Sequence, residues 1–101
     1  MNTLQTIRIM DITDDTATNI GGLPVYLATD KLLELNHKVC WDLDTVSFLS
    51  SSFLNSSIGE LIDKYGIDFF KSHFSITKYS RYQVEAIKDY IEKYEHLTYS
   101  D

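Results

Sequence analysis

The stretch KVCWDLDTVSFLSSSFLNSSIGELIDKYG, residues 38–66, decides how the chain is read. Its first part, Lys38 to Asp44, places Val39, Trp41 and Leu43 on one face of an extended segment, with Cys40 partly covering the other. This is the pattern of a strand covered on both faces, and it predicts a sheet with helices on each side. Five serines then fall within the eight positions Ser50 to Ser57. A polar run of this kind suggests a loop, yet Phe53, Leu54, Ile58, Leu61, Ile62 and Tyr65 recur at i, i+4, i+8 spacing through it and beyond. The spacing predicts an amphipathic helix starting near Ser52, and Gly66 supplies a left-handed stop.

The same alternation extends outward in both directions. Upstream, Ile7, Ile9 and Ile12 bracket a short strand over Thr6 to Ile12. Polar residues 13–19 and the Gly21–Gly22 pair are read as a break. Pro24 suits a first helical turn, and Val25, Ala28, Leu32 and Leu35 predict a helix from Pro24 to Leu35, ending at Asn36. Downstream, Phe74 and Ile76 alternate in a strand over His73 to Tyr79. Ser80 and Gln83 form an S-x-x-Q capping box. It opens a helix whose inner face is Val84, Ile87, Tyr90, Ile91 and Tyr94. Residues 96–101 are expected to be a frayed tail. The order is β-α-β-α-β-α, which implies a mainly parallel sheet with crossover helices. A single domain over residues 1–101, of small α/β layer fold, is expected.

Composition narrows the function. A hydrophobic fraction of 44% and an aromatic fraction of 13% specify a folded globule. The nine Lys and Arg residues are scattered and the net charge is −6, so nucleic-acid binding by phosphate neutralisation is not expected. The single cysteine, Cys40, leaves no internal disulfide and suits a reducing cytoplasm. The first residues lack a charged start followed by an apolar run, and no apolar run approaches the roughly 20 residues needed to cross a bilayer. A cytoplasmic protein without membrane association is the expectation.

Catalytic and cofactor signals are sparse. No serine lies in a G-x-S-x-G elbow, and the three histidines have no triad spacing. His37 and Cys40 have no second ligand pair for zinc. Asp11, Asp14 and Asp15 follow the first strand, where carboxylates can hold a metal, but read as a solvated loop. Gly21–Gly22 is too short for a phosphate cradle. No catalytic residue, metal site or cofactor is assigned, and an enzyme is not expected. The serine run retains two readings. Ser51 or Ser52 caps the helix by accepting from a first-turn N–H, or one of them is a phosphoacceptor beside the positive helix end.

With these residues in view, VCWDLDTVSFLSSSFLNSSIGELIDKYG followed by HFSITKYSRYQVEAIKDYI resembles the STAS-like domain family of uncharacterised bacterial proteins, over about Lys38 to Ile91. That family is similar to the STAS domains of anti-sigma-factor antagonists, whose motif runs phenylalanine, apolar, Asp, Ser, Ser, Gly, Leu. Here Phe48 and Leu49 match, Ser50 stands at the Asp position, Ser51 and Ser52 match the serine pair, Phe53 replaces the glycine, and Leu54 matches. The antagonists begin with a strand hairpin, where this chain offers one strand. The resemblance implies a non-enzymatic regulatory module that binds a GHKL-type ATPase or serine kinase. It makes Ser52, with Ser51, the phosphoacceptor candidate, and Ser50, Ser51, Ser52, Phe53, Asn55 and Ser56 the partner-binding set. Two alternatives stand beside it: a structural subunit of a larger complex, of phage-defence or toxin–antitoxin type, and a small-ligand-sensing domain.

Overall fold

The computed structural model describes residues 3–99, with the backbone alone over 96–99. Strand β1 (Leu4–Arg8) runs into a short helical turn, α1 (Ile9–Ile12). Helix α2 (Asn19–Glu34) leads to strand β2 (Lys38–Asp42). A continuous helical run over 51–65 follows, made of α3 (Ser51–Leu54), a wide π-helical segment (Asn55–Gly59) and α4 (Glu60–Tyr65). Helix α5 (Ile67–His73), strand β3 (Phe74–Thr77) and helix α6 (Arg81–Tyr99) complete the chain. The three strands form one sheet in the order β1-β2-β3, and both pairs are parallel. The β-α-β-α-β-α order and the parallel sheet are therefore as the residue pattern implies.

Register sets the two faces of this sheet. Ile7, Trp41 and Ile76 lie in one row, and Val39 is level with Phe74. This face meets the helices: Trp41 is fully buried, its indole N–H donates to Thr29 of α2 at 3.0 Å, and its ring meets Phe53 of α3 edge-on. Phe70 of α5 stacks on Phe74 with ring centroids 4.6 Å apart. On the other face Leu4, Thr6, Lys38 and Ser75 are exposed. The expectation of helices on both sides is thus wrong. Each crossover steps in the same direction, from β1 to β2 to β3, and crossovers of one hand that step one way put their helices on one side. The burial of Cys40 in the middle strand gave the misleading signal.

Several boundaries differ from expectation for reasons of packing. β1 ends at Arg8, and Ile9 turns into α1 as a fully buried core residue. α2 begins at Asn19, not at Pro24, because Thr18 caps it by accepting from Gly21 N–H at 3.4 Å. The Gly21–Gly22 pair lies inside this helix. A Cβ on Gly21 would sit 1.8 Å from the Asp15 carbonyl, and one on Gly22 would sit 2.1 Å from Ser56 Oγ. Both glycines serve close backbone approach and do not break the helix. The buried stripe of α2 is accordingly Gly22, Val25, Thr29 and Leu33, and Leu35 is exposed.

Residues 67–73 form α5, a helix outside the expected order of elements. Its two inward residues, Ile67 and Phe70, are too few to announce a period. Gly66, at φ 89°, permits the turn into it. Tyr65, Phe69 and His73 then stack in series along its outer side. β3 is shorter than expected, ending at Thr77 before Lys78 at φ 53°. The capping box of α6 forms as read: Gln83 N–H donates to Ser80 Oγ at 3.1 Å, and Ser80 N–H to Gln83 Oε1 at 2.8 Å. The backbone of 96–99 completes α6 where a frayed tail was expected, and Ser100 and Asp101 lie outside the described residues.

Candidate functional site

The serine run lies between the carboxyl end of β2 and the π-helical segment, and two loops are bound together there. Ser50 N–H donates to the Thr16 carbonyl at 3.1 Å, the Ser50 hydroxyl donates to the Ala17 carbonyl at 2.6 Å, and the Thr16 hydroxyl donates to the Phe48 carbonyl. The same Ser50 oxygen accepts from Phe53 N–H at 3.0 Å. Ser50, in extended conformation at φ −83° and ψ 160°, is therefore the N-cap of α3. Capping by Ser51 or Ser52 is not what happens, because both already sit inside the first turn.

That assignment leaves Ser51 and Ser52 exposed, and neither hydroxyl meets a hydrogen-bond partner among the described residues. Phe53 turns inward and is fully buried beside Trp41, so it drops out of the partner-binding set. It stands where the antagonist motif has glycine, and its bulk fills the core. Asn55 is exposed and accepts from the Tyr90 hydroxyl at 2.7 Å. Ser56 is half-buried against Gly22. Its hydroxyl and that of fully buried Ser57 both donate to the Phe53 carbonyl, at 3.2 and 2.7 Å. Hydroxyl bonds to a carbonyl one turn back compete with the backbone ladder, which accounts for the widened helix from Asn55 to Gly59.

The surface around Ser51 and Ser52 includes an aromatic residue outside the expected set. Phe48 is 45% exposed in the loop that Ser50 closes. The Gln83 side chain donates to the Val46 carbonyl, which ties the first turn of α6 to this loop. Exposed Tyr79 precedes that first turn and exposed Tyr82 lies in it. One tyrosine just before the capping box and one inside it were the available signal. A separate exposed apolar stripe runs along α2 through Ile20, Leu23 and Leu27, at 79%, 52% and 57% exposure.

The acidic residues after β1 do not converge. Asp11 pairs with Arg8 at 2.8 Å. Asp15 accepts from the Thr18 hydroxyl, from Ala17 N–H at 2.9 Å and from Thr18 N–H at 3.0 Å. These bonds, that of the Thr18 hydroxyl foremost, lower its pKa below the ordinary carboxylate value. No group of three or more His, Cys, Asp or Glu residues among the described residues is placed to hold a metal ion. No described helix is long and apolar enough to cross a membrane.

A second polar cluster joins α2 to α4. Asp30 accepts from Lys64 Nζ at 2.9 and 3.0 Å and from the Tyr65 hydroxyl at 2.6 Å. Burial opposes its ionisation, but these donors prevail and hold its pKa below the ordinary value. Burial and the Asp30 carboxylate push the Tyr65 hydroxyl up to about 12. Every polar atom here is satisfied, which marks the cluster as structural.

No curated protein and no solved structure matches the chain. Residues 23–83 match the family described as a STAS-like domain of unknown function (DUF4325). The matched segment runs from α2 to the first turn of α6, and so holds β2, the serine run, the π-helical segment and β3. With more than half its length inside that match, this chain belongs to the family of STAS-like domains of unknown function.

Proposed function

We propose that this chain is a non-enzymatic, cytoplasmic regulatory module that docks a protein partner, a GHKL-type ATPase or kinase, through Phe48, Ser51, Ser52 and Asn55. Phosphorylation of Ser52 is its switch. The observation that carries this reading is the division of labour among the serines. Ser50 does the structural capping, while Ser51 and Ser52 present unbonded hydroxyls to solvent one step along. A phosphate on Ser52 would add about −1.5 to −2 charges to a surface that disturbs no internal hydrogen bond. The chain itself would keep its fold, and the effect would fall on the complex. Buried Phe53 beneath this surface gives it a rigid base.

The test is incubation with a GHKL-type ATPase encoded beside this chain, with Mg·ATP, followed by phosphosite mapping by mass spectrometry. Phosphate on Ser52, and a complex weakened by Ser52→Asp, are the expected results. An unphosphorylated serine run together with a complex indifferent to Ser52→Asp removes the switch. Absence of any complex removes the binding role as well.

A second reading has its own observation. The stripe Ile20, Leu23 and Leu27 is an apolar face on an otherwise well-buried helix, as a subunit of a larger assembly would carry. A co-purifying complex that ignores ATP and Ser52→Ala but is lost with Leu23→Glu would favour it.

A further inference from the structure

The sheet has two edge strands, β1 and β3. β3 pairs only with β2. Leu43 N–H donates to the Thr77 carbonyl at 3.0 Å, so Thr77 and, by alternation along the strand, Ser75 turn their backbone groups toward β2. Phe74 and Ile76 turn theirs outward, and those groups meet no partner among the described residues. Alongside them, between β3, α5 and α6, lies an apolar groove of about 400 Å³. Phe70, Phe74, Ile76, Val84, Ile87 and Ile91 line it.

These two features call for the same occupant. Outward N–H and C=O groups at every second residue are the half-ladder that another strand completes. The groove under α6 is where alternate side chains of that strand would point. Charges at the groove are balanced, Lys71 and Lys88 against Glu92 and Glu95, so it selects by shape and apolarity. A bare extended strand enters without a helix layer of its own, whereas a second copy would bring the helices that cover its Phe74 and Ile7.

We propose that β3 accepts an extended strand from a protein partner, bonded to Phe74 and Ile76 and placing aliphatic side chains at alternate positions into the groove. The site is separate from Ser52 and independent of any switch there.

Random-peptide phage display against the purified full chain is expected to enrich peptides with aliphatic residues at alternate positions. A synthetic copy of the enriched peptide, titrated into labelled protein, should shift the Phe74 and Ile76 amide resonances and slow their hydrogen exchange. Ile91→Lys and Val84→Lys should each weaken binding by about tenfold or more, the scale of one buried aliphatic contact. Ile76→Pro should abolish it, because it deletes an outward donor while the bonds of Ser75 and Thr77 to β2 persist. Ser52→Asp should leave it unchanged. Enrichment of no alternating peptide, shifts centred on Phe48 and Ser52, or full binding by the folded groove variants would overturn the proposal. If the lysine variants fail to fold, the exchange at Phe74 and Ile76 in the unaltered chain decides.

Discussion

The indole N–H of Trp41 donates to the Thr29 hydroxyl at 3.0 Å, and both residues are fully buried. The hydroxyl in turn donates to the Val25 carbonyl at 2.8 Å, so one oxygen joins the middle strand to α2. Thr29→Val keeps the volume and strands the indole N–H, at a cost of about 1–3 kcal/mol. Thr29→Ser keeps the bond and loses a methyl group, about 1 kcal/mol. Urea unfolding that ranked the valine variant no lower than the serine variant would remove the bond from the account.

Gly22 sits where α2 crosses the start of the π-helical segment. Gly22→Ala would place Cβ 2.1 Å from Ser56 Oγ and 2.6 Å from the Phe53 carbonyl. Alanine favours a helix by up to about 1 kcal/mol over glycine, yet overpacking of about 1–3 kcal/mol should outweigh that gain. Adding Ser56→Ala should recover only part of the loss, because the Phe53 carbonyl remains. Thermal unfolding of the single and double variants checks both statements.

The three adjacent serines should differ sharply in stability. Ser50→Ala removes a helix cap and the bond to the Ala17 carbonyl, and should cost about 1–2 kcal/mol. Ser51→Ala and Ser52→Ala touch no internal bond and should stay within about 0.5 kcal/mol of the parent. Equal melting temperatures for all three would contradict the assignment of the cap to Ser50.

The Asp30–Lys64–Tyr65 cluster predicts two limbs in a stability–pH curve. The pKa of Asp30 is lowered from 3.8, so its contribution is complete above that value and is lost as pH falls through the folded pKa. The Tyr65 pKa is raised from 10.0 to about 12, so its contribution is present below 10.0 and fades as pH rises toward about 12. Asp30→Asn should flatten the acid limb and Tyr65→Phe the alkaline one. Unfolding free energies measured across pH for the three proteins decide it.

Much of this was legible in local pattern. The strand–helix alternation, the Gly66 stop, the Ser80–Gln83 box and the helical face through Ile58 and Leu61 each depend on residues a few positions apart, and each appears in the fold. The resemblance on the serine run and its helix likewise agrees with the family match over 23–83. Misreadings arose where a residue answers to something remote. Gly21 and Gly22 look like a break until Asp15 and Ser56 are brought against them. Phe53 looks like a contact residue until Trp41 is beneath it.

The order of the three strands and their crossover helices, the parallel sheet and the family were legible along the chain, α1 and α5 excepted, because periodicity and caps are short-range signals carried along one element. Tertiary structure alone decided which serine caps and which are free, since Ser50 is held by Ala17, 33 positions away. It also set the described helices on one face of the sheet, leaving the opposite face and the β3 edge open. That outcome depends on the direction of successive crossovers, a relation between strands that no local stretch encodes.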